Sequence, residues 1–498
     1  MSILLLFLLT VCVWCIKFWW SRRRLRELAA QIPGPPTIPL LGNIHYLFEG
    51  PEKAFYLIRD LVDRYERKAF RFWMGHSLYI CTTNAEDVEQ ICVKERFLDR
   101  DRIIMGALEK FFGKGLLTCE GEYWKHQRKV VAPSFKTYVL ESYYSVFNIQ
   151  ACNLVNQLEK FICGDVFDIY EVLSLCTLDM VCESTLGISI KAQEGENKDI
   201  THFILNILNI GYKRATRPWL MLDTIFHLTD TGRKHKEVEK ILYDLSDSVI
   251  LNKLRESRKN KESEQNDEKI NKRSFLDILI NSSESEGANL SNKQLRDEVI
   301  TILLAGIETT ANAMSFTLLL LAYHPQIQED VYQELKEVFA DDWERPVTPE
   351  DAKQLQLLDR VFKESLRLFP PVFFTGRTTT KELKLKTCTV PEGAKIFLPL
   401  YLVHRDPRFF SDPERFDPDR FLPERSHERH PYSYVPFGAG PRMCIGYKYA
   451  EIQMAVTLAT VLKKYKFLPA MPYECLQKLE IPVITRPTCG FKIKIVPR

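Results

Sequence analysis

Cys444 has the surroundings of a reactive residue. It lies in the segment FGAGPRMCIG, residues 437–446, where a glycine-rich stretch leads to the start of a predicted helix. Gly438 and Gly440 allow backbone conformations that other residues avoid, and they leave space for a flat ligand. The free N–H groups and the positive dipole at a helix start stabilise a thiolate, so Cys444 is a candidate metal ligand. The alternative is a small buried core residue, since the chain contains 13 cysteines.

The predicted metal would have a single protein ligand. No second cysteine or histidine follows Cys444 at the spacing of a tetrahedral zinc site. Haem iron is the leading candidate, because a thiolate ligand pushes electron density toward iron and favours cleavage of an O–O bond. The other cysteines show no regular pairing and lie in apolar stretches, which indicates reduced thiols on the cytosolic side of a membrane.

Length and charge narrow the class of protein. At 498 residues the chain can bury one large core or two ordinary ones. Its formal net charge is +3, whereas a nucleic-acid-binding protein concentrates far more positive charge, so nucleic acid is not an expected partner. A small-molecule function fits these values.

The Cys444 segment resembles the haem-binding signature of the cytochrome P-450 superfamily, Phe-x-x-Gly-x-Arg-x-Cys-x-Gly. The fixed positions are all matched, by Phe437, Gly440, Arg442, Cys444 and Gly446. The resemblance implies the cytochrome P-450 fold, mainly α with small β-sheets, and haem b (iron protoporphyrin IX) bound through Cys444. It implies a monooxygenase, and it assigns Phe437, Gly438 and Gly440 to the cofactor site.

Two further segments resemble the family's partners for the haem propionates. Trp124 and Arg128 lie four residues apart in WKHQR, on one face of a predicted helix. Arg377, in FFTGRTTT, and Arg442 are the other matching cations. Arginine suits a propionate because its planar fork donates two hydrogen bonds to a carboxylate. Without the resemblance, Trp124 would be an ordinary core aromatic residue.

The segment AGIETT, residues 305–310, resembles the family's oxygen-activating helix. Gly306 would leave room for dioxygen and substrate. The Thr309 hydroxyl can bond to the carbonyl oxygen of Ala305, four residues earlier, and bend the helix. The resemblance makes Thr309 and the adjacent Glu308 the residues that pass protons during oxygen activation, a form of general acid catalysis. Seen alone, such a threonine is a satisfied core residue.

The motif KESLR places Glu364 and Arg367 three residues apart on one helix face. The resemblance pairs them with Arg420 of FDPDRF, where Asp419 stands in place of the commoner glutamate. Their predicted role is structural: to hold the irregular stretch that leads to Cys444. Without the resemblance they would be a surface pair that contributes little stability.

The C-terminal segments are most similar to the animal microsomal clan that contains the fatty-acid ω-hydroxylases, particularly its insect members. Ala305 stands where many of those enzymes have a glutamate that esterifies haem, so non-covalent haem is expected apart from the Cys444 bond. A fatty acid, another lipid or a foreign compound remains open as the substrate. The implied partners are NADPH-cytochrome P-450 reductase and cytochrome b5.

Two other functions remain open. A haem-thiolate isomerase or dehydratase would keep the cysteine loop without needing Glu308 and Thr309, so their presence weighs against it. A non-enzymatic haem-based sensor or carrier is the second alternative.

The chain begins with an apolar run from Ile3 to Trp20, followed by arginines at 22, 23, 24 and 26. Positive charge after the run predicts an uncleaved anchor with the remainder of the chain cytosolic. The resemblance to microsomal enzymes implies that this anchor lies in the endoplasmic reticulum membrane. A signal peptide is the alternative. The predicted organisation is an anchor at 1–21, a basic and proline-rich linker at 22–49, and a haem-binding catalytic domain at 50–498.

One long helix should carry AGIETT. Ser291 and Gln294 form a predicted capping box, and Pro325 ends the pattern about 32 residues later. A second transmembrane helix is the competing interpretation, but Glu308 and Asn312 in the middle would be costly in lipid. We expect a buried helix.

Three shorter features complete the sequence predictions. The charged segment 251–274 is predicted to be a solvated loop between helices, because its charges are mixed in sign. Alternating residues near 383–400 predict a hairpin that turns at Glu392–Gly393. The segment ITRPTCGFKIKIVP, residues 484–497, predicts another hairpin.

Overall fold

Helices predominate in the computed structural model of this chain, which describes residues 5–6, 9–10, 13, 17, 20–162, 164–196, 207, 210–214, 216–262, 274–285 and 290–498. The helices before residue 263 are α1 (Arg23–Ala30), α2 (Pro51–Arg64), α3 (Ala85–Glu89), α4 (Arg102–Phe112), α5 (Gly121–Val131), α6 (Thr137–Ser142), α7 (Tyr144–Leu158), α8 (Ile169–Leu186), α9 (Asp223–Leu228) and α10 (Asp230–Glu262). Those after it are α11 (Phe275–Ser285), α12 (Asn292–Tyr323), α13 (Pro325–Val338), α14 (Pro349–Gln354), α15 (Gln356–Leu368), α16 (Leu400–Val403), α17 (Pro423–Ser426) and α18 (Tyr447–Lys464).

The strands are short and form small sheets. They are β1 (Phe70–Met74), β2 (Ser77–Cys81), β3 (Phe167–Asp168), β4 (Phe374–Thr378), β5 (Leu383–Lys384), β6 (Thr389–Val390), β7 (Lys395–Pro399), β8 (Tyr465–Pro469), β9 (Leu479–Glu480), β10 (Arg486–Pro487) and β11 (Lys492–Pro497). A four-stranded sheet has the order β1-β2-β7-β4, and a three-stranded sheet has the order β3-β11-β8. The pairs β5–β6 and β9–β10 stand apart from both.

Helix α12 is the central element of the fold. It spans 32 residues, and Ser291 and Gln294 form the predicted capping box at its start. Its longest packing interface is with α8, and most of its side chains are buried. Among the described residues, α12 has the length and hydropathy needed to cross a membrane, yet it lies mostly inside the protein. The expectation of a buried helix is confirmed.

The N-terminal predictions fall partly outside the described residues. Most of the anchor predicted at 1–21 is not described. The segment predicted as a linker packs against the body: Leu28 and Ile32 are buried, and the Arg71 N–H donates to the carbonyl oxygen of Pro33 at 2.7 Å. Asn43 is also buried and bonds to Pro36. Residues 28–43 are therefore an integral part of the folded body.

The charged segment 251–274 is not a loop throughout. Helix α10 continues to Glu262, and residues 263–273 lie outside the described part. Leucine, lysine, arginine and glutamate are strong helix formers, so mixed charge in this segment was a weaker signal than intrinsic helix propensity.

Both predicted hairpins are wrong, because the two strands of each do not pair with one another. Strand β6 pairs with β5, whereas β7, after the turn at Glu392–Gly393, pairs with β2 and β4. Near the C-terminus, β10 pairs with β9, and β11 pairs with β3 and β8. Alternation predicts a strand but not its neighbour, since strands can pair with distant parts of the chain.

Candidate functional site

A cavity of about 550 Å³ brings together residues from distant parts of the sequence. Part of its wall is α12, with Ala305, Gly306 and Thr309, and another part is the loop around Cys444. The tip of the β9–β10 hairpin, residues 481–484, closes another side. Leucine, isoleucine and phenylalanine are the commonest residues of the described lining, so an apolar ligand would fit.

The Cys444 side chain is accessible from this cavity. The Cys444 N–H donates to the carbonyl oxygen of Phe437 at 2.9 Å, which closes the loop, and α18 begins three residues later. Burial raises the pKa of the thiol, and a hydrogen bond from the Gly446 N–H, then the charges of Arg128 and Arg100, oppose that rise. Phe437 and Gly438 also line the cavity.

Arg442 lines the cavity and is fixed by its own hydrogen bonds. Its guanidinium donates to the carbonyl oxygens of Leu98 at 2.9 Å, Leu116 at 3.4 Å and Cys119 at 2.7 Å. It also lies 4.2 Å from the centre of the Trp124 ring. Trp124 therefore supports Arg442 by packing and a cation–π contact.

Arg100 is a cavity residue that no sequence motif indicated. Burial, together with the charges of Arg377 and Arg442, lowers the pKa of Arg100 to about 9. Burial likewise lowers the pKa of Arg442 to about 10 and lowers that of Arg377. We call Arg100, Arg377 and Arg442 the arginine cluster.

The arginine cluster has the chemistry of an anion site. In the described part of the chain, its guanidinium groups donate to carbonyl oxygens and to the Thr375 hydroxyl rather than to carboxylates. The Nε atoms of Arg100 and Arg377 are buried there without an acceptor. Mutually repelling buried cations are costly unless an anion neutralises them. The two carboxylates of a haem next to Cys444 fit this requirement.

Thr309 lines the cavity, and its hydroxyl donates to the carbonyl oxygen of Ala305 at 2.7 Å, as the sequence predicted. Gly306 also lies against α8, a contact that the sequence did not predict. A Cβ atom at Gly306 would lie 3.1 Å from Val181 of α8. The absent side chain therefore lets the two helices pack closely, although the Gly306 backbone also lines the cavity.

Glu308, to which the resemblance assigns proton transfer together with Thr309, is not among the residues that line the described cavity. Its carboxylate is buried and accepts hydrogen bonds from the Tyr170 hydroxyl and the Arg486 guanidinium. Neighbouring residues on a helix point about 100° apart, so Thr309 can line the cavity while Glu308 faces α8 and the C-terminal segment. The structure does not bring the two predicted proton-transfer groups to one surface.

Gly440 has the kind of backbone conformation that the sequence predicts for it. Its φ is +70°, and a Cβ atom there would lie 1.9 Å from the carbonyl oxygen of Cys92. Gly440 is therefore needed for the loop to pack on residues 92–93, and its predicted contact with the cofactor stays a prediction. Only a glycine can adopt this conformation at such close range.

The Glu364–Arg367 pair is buried, and both side chains are fully inaccessible. Arg367 binds Glu364 with two hydrogen bonds of 2.7 and 2.8 Å, and Arg420 lies 3.4 Å from the same carboxylate. Arg367 also donates to the carbonyl oxygens of His404, Pro413 and Arg415 in the irregular stretch. His404 in turn accepts from the Val435 N–H, two residues before Phe437. This chain of contacts connects α15 to the Cys444 loop.

Two acidic residues of α12 bind residues 114–116, next to two of the carbonyl oxygens that accept from Arg442, those of Leu116 and Cys119. Asp297 accepts from the Lys114 N–H at 3.1 Å, and Glu298 accepts from the Leu116 N–H at 3.0 Å. Sequence analysis missed both, because an acidic residue near a helix start has an ordinary explanation in the helix dipole. Burial raises the pKa of Glu298 to about 8.

We expect Glu298→Gln to flatten the pH dependence of stability. The folded-state pKa of about 8 exceeds the ordinary 4.5, so unfolding releases a proton between these values and the free energy of unfolding falls as pH rises through them. Glutamine keeps the acceptor for Leu116 but does not titrate. Denaturant unfolding from pH 5 to about 8 should show a loss of a few kcal/mol for the native chain that the variant lacks.

The control for this measurement is Glu122→Gln, at a carboxylate that is 85% exposed. A native chain and a Glu298→Gln variant with parallel pH profiles would contradict the prediction.

Comparison with known proteins agrees with this site. The cytochrome P450 family profile matches residues 32–495. Human cytochrome P450 4V2 is 34% identical over 473 residues, which cover 93% of this chain and 90% of that protein. Cytochrome P450 4c3 of Drosophila melanogaster is 34% identical over 502 residues, covering 98% and 93%.

A solved structure has the same fold. The crystal structure of the cytochrome P450DA heme domain superposes with a TM-score of 0.80 and covers 94% of this chain and 98% of that one, at 22% sequence identity. The family match extends over the cavity, the Cys444 loop and the arginine cluster. With a thiol at one wall of an apolar cavity and buried cations beside it, the chain belongs to the cytochrome P450 family and is a haem-thiolate monooxygenase.

Proposed function

We propose that this enzyme inserts one oxygen atom from O2 into a lipophilic substrate, a fatty acid, another lipid or a foreign compound, with electrons from NADPH through a membrane-bound reductase. The observation that carries this proposal is the apolar cavity of about 550 Å³ between Cys444 and Thr309. A substrate in it would lie against α12 and the 481–484 tip, and it would be shielded from water by apolar side chains.

Cys444 would bind the haem, and the arginine cluster would hold its two carboxylates. The bound haem supplies the activation of dioxygen. Phe437 and Gly438 border the same space, and Trp124 keeps Arg442 in place through the ring contact. Arg128, whose charge acts on the Cys444 thiol, favours its ionised form.

Haem should be released intact from the denatured protein, because Ala305 lines the cavity and has no carboxylate to form an ester. Chromatography in acid with mass detection should yield unmodified protoporphyrin IX iron. Ala305→Glu is the matched variant, in which extraction should become incomplete. Haem that stays on the native polypeptide would contradict this prediction.

Thr309→Ala should uncouple electron consumption from product formation. It removes the hydroxyl that lines the cavity, and a positioned acid–base group contributes about 100-fold or more to a proton-transfer step. Product per NADPH should fall about tenfold or more while hydrogen peroxide rises. Thr317→Ala is the control, since Thr317 makes the same bond to a carbonyl four residues earlier, at 2.8 Å, in the buried part of α12. Equal coupling in both variants would argue against proton transfer by Thr309.

The proposed location is the endoplasmic reticulum membrane, with residues 1–21 as the anchor and the catalytic domain in the cytosol. The described side chains of the anchor are exposed, among them Leu5, Leu9 and Trp20. Two further segments, residues 40–48 and 219–228, also expose apolar side chains, namely Leu40, Leu41, Trp219, Leu222 and Leu228. These segments are in contact, because the Phe48 and Trp219 rings lie 6.0 Å apart. Such a patch favours contact with lipid.

The proposed electron donors are NADPH-cytochrome P-450 reductase and cytochrome b5. Three exposed lysines lie on the helices that border the Cys444 loop. Lys125 and Lys129 are on α5, and Lys448 is on α18. Positive charge on this face would steer an acidic partner.

The experiment that tests the function is a product search. The full chain, reconstituted in membranes with the reductase, is given NADPH, ¹⁸O₂ and a pooled mixture of lipids and foreign compounds. An NADPH-dependent product that gains one labelled oxygen supports the proposal. Conversion of hydroperoxides without reductase or NADPH, and no labelled product, would favour an isomerase or dehydratase.

A further inference from the structure

Residues 481–484, which form one wall of the cavity, belong to a hairpin that has little stability of its own. Strands β9 and β10 have two residues each, with Glu480 opposite Arg486 and Leu479 opposite Pro487. A hairpin of this size is at best marginally stable in water. We call residues 479–487 the 479–487 hairpin. Its position must be set by contacts with the rest of the protein.

One set of contacts comes from residues 370–372, which accept hydrogen bonds from the Thr485 N–H at 2.8 Å and the Thr485 hydroxyl at 2.9 Å and form a bridge with Ile484. A second set comes from two residues of α12, one helical turn apart. Glu308 accepts from Arg486 of the hairpin, and the Asn312 side-chain amide donates to the carbonyl oxygen of Thr485 at 2.8 Å. Glu308 and Asn312 are both buried. The hairpin is thus attached to the helix directly beside its cavity-lining tip, Ile481–Ile484.

Tyr170 of α8 takes part in the attachment to α12. Its hydroxyl donates to Glu308, and Arg486 donates to the same hydroxyl at 2.8 Å. The Arg486 guanidinium lies 4.8 Å from the centre of the Tyr170 ring. Because the Arg486 side chain is only 15% exposed, the ion pair is weakly screened by solvent, and removal of one partner leaves a buried charge.

We infer that Arg486 is a positioning residue for substrate specificity: through Glu308 it holds the 479–487 hairpin against α12 and so fixes the cavity wall that decides which part of the substrate reaches the haem. This inference rests on the proposed function where it concerns substrate. Glu308 then acts as the anchor of this wall, which is the role that its contacts show, since its carboxylate faces Arg486 and Tyr170.

The first test needs no turnover. Hydrogen–deuterium exchange is followed in the full-length haem-loaded protein, in peptides that contain residues 479–487. Arg486→Gln and Glu308→Gln should each speed exchange of the hairpin amides by about tenfold or more, which corresponds to ~1.4 kcal/mol or more of lost local stability. Arg486→Lys keeps the positive charge and should show a smaller change. The control is Arg498→Gln, which breaks the 2.9 Å ion pair of a mostly buried arginine with Glu329.

The second test is the product distribution. Arg486→Gln should redistribute oxidation among substrate positions by severalfold relative to the native enzyme, while haem content and the spectrum of the reduced carbon monoxide complex stay unchanged. Arg486→Lys should restore most of the native distribution.

Two outcomes would overturn the inference. One is hairpin exchange in Arg486→Gln equal to that in Arg498→Gln. The other is a Glu308→Gln variant that loses coupling while its hairpin exchange stays native, which would assign Glu308 to proton transfer instead. Failure of the proposed function is separate: it appears as absence of product from the native enzyme, whereas the exchange measurement is unaffected by it.

Discussion

Replacing Cys444 with alanine should abolish the thiolate-type spectrum of the reduced carbon monoxide complex. The Cys444 sulfur is accessible from the cavity and is the proposed iron ligand. The methyl side chain of alanine cannot bind iron. The loop itself should persist, because its closing bond joins the backbone N–H of residue 444 to the carbonyl oxygen of Phe437. The expected loss is complete and is measured by difference spectroscopy of the purified full chain.

Cys152→Ala is the matched control, since that thiol is exposed on α7. Its spectrum should equal that of the native protein. A thiolate-type spectrum that survives Cys444→Ala would refute the assignment of the ligand.

Arg367→Ala should destabilise the fold by about 3–5 kcal/mol, because it leaves the fully buried Glu364 carboxylate without its bidentate partner. The irregular stretch loses its bonds to Arg367 at the same time. Since that stretch leads to the Cys444 loop, haem incorporation should fall along with the free energy of unfolding. Denaturant unfolding and haem content of the purified chain measure the two effects.

A control lies on the same helix. Lys363 pairs with Asp359 at 2.6 Å, and both side chains are more than one third exposed. Lys363→Ala should therefore cost at most about 1 kcal/mol, as exposed pairs do. Its carbonyl oxygen, which accepts from the Tyr434 hydroxyl, is retained. Equal losses in the two variants would refute a special role for the Glu364–Arg367 pair.

Local patterns predicted the central helix and the cysteine loop well. The capping box of Ser291 and Gln294 and the stop at Pro325 gave α12 its bounds, because these signals act within a few residues of the helix ends. The Thr309–Ala305 bond followed for the same reason, since the two groups are one turn apart. The spacing of residues 437–446 likewise predicted the thiol beside a helix start.

Features that depend on distant parts of the chain were less predictable. The neighbours of Glu308 come from α8 and β10, so its orientation away from the cavity has no signal in residues 305–310. The shifted pKa values of Arg100 and Glu298 arise mainly from burial against remote segments. The wrong strand partners of β7 and β11 have the same origin, because pairing across a sheet is not encoded in alternation.

We expect the arginine cluster to make the amount of this protein in a cell depend on the supply of haem. Arg100 and Arg442 are held in the folded chain with pKa values lowered to about 9 and about 10, so folding without an anion works against their charges. A ligand that binds only the folded state stabilises it by mass action. Newly made chains should therefore mature only as fast as haem reaches them, and chains left empty should be degraded sooner. Iron limitation would then lower the steady-state level of the enzyme without any change in its messenger RNA.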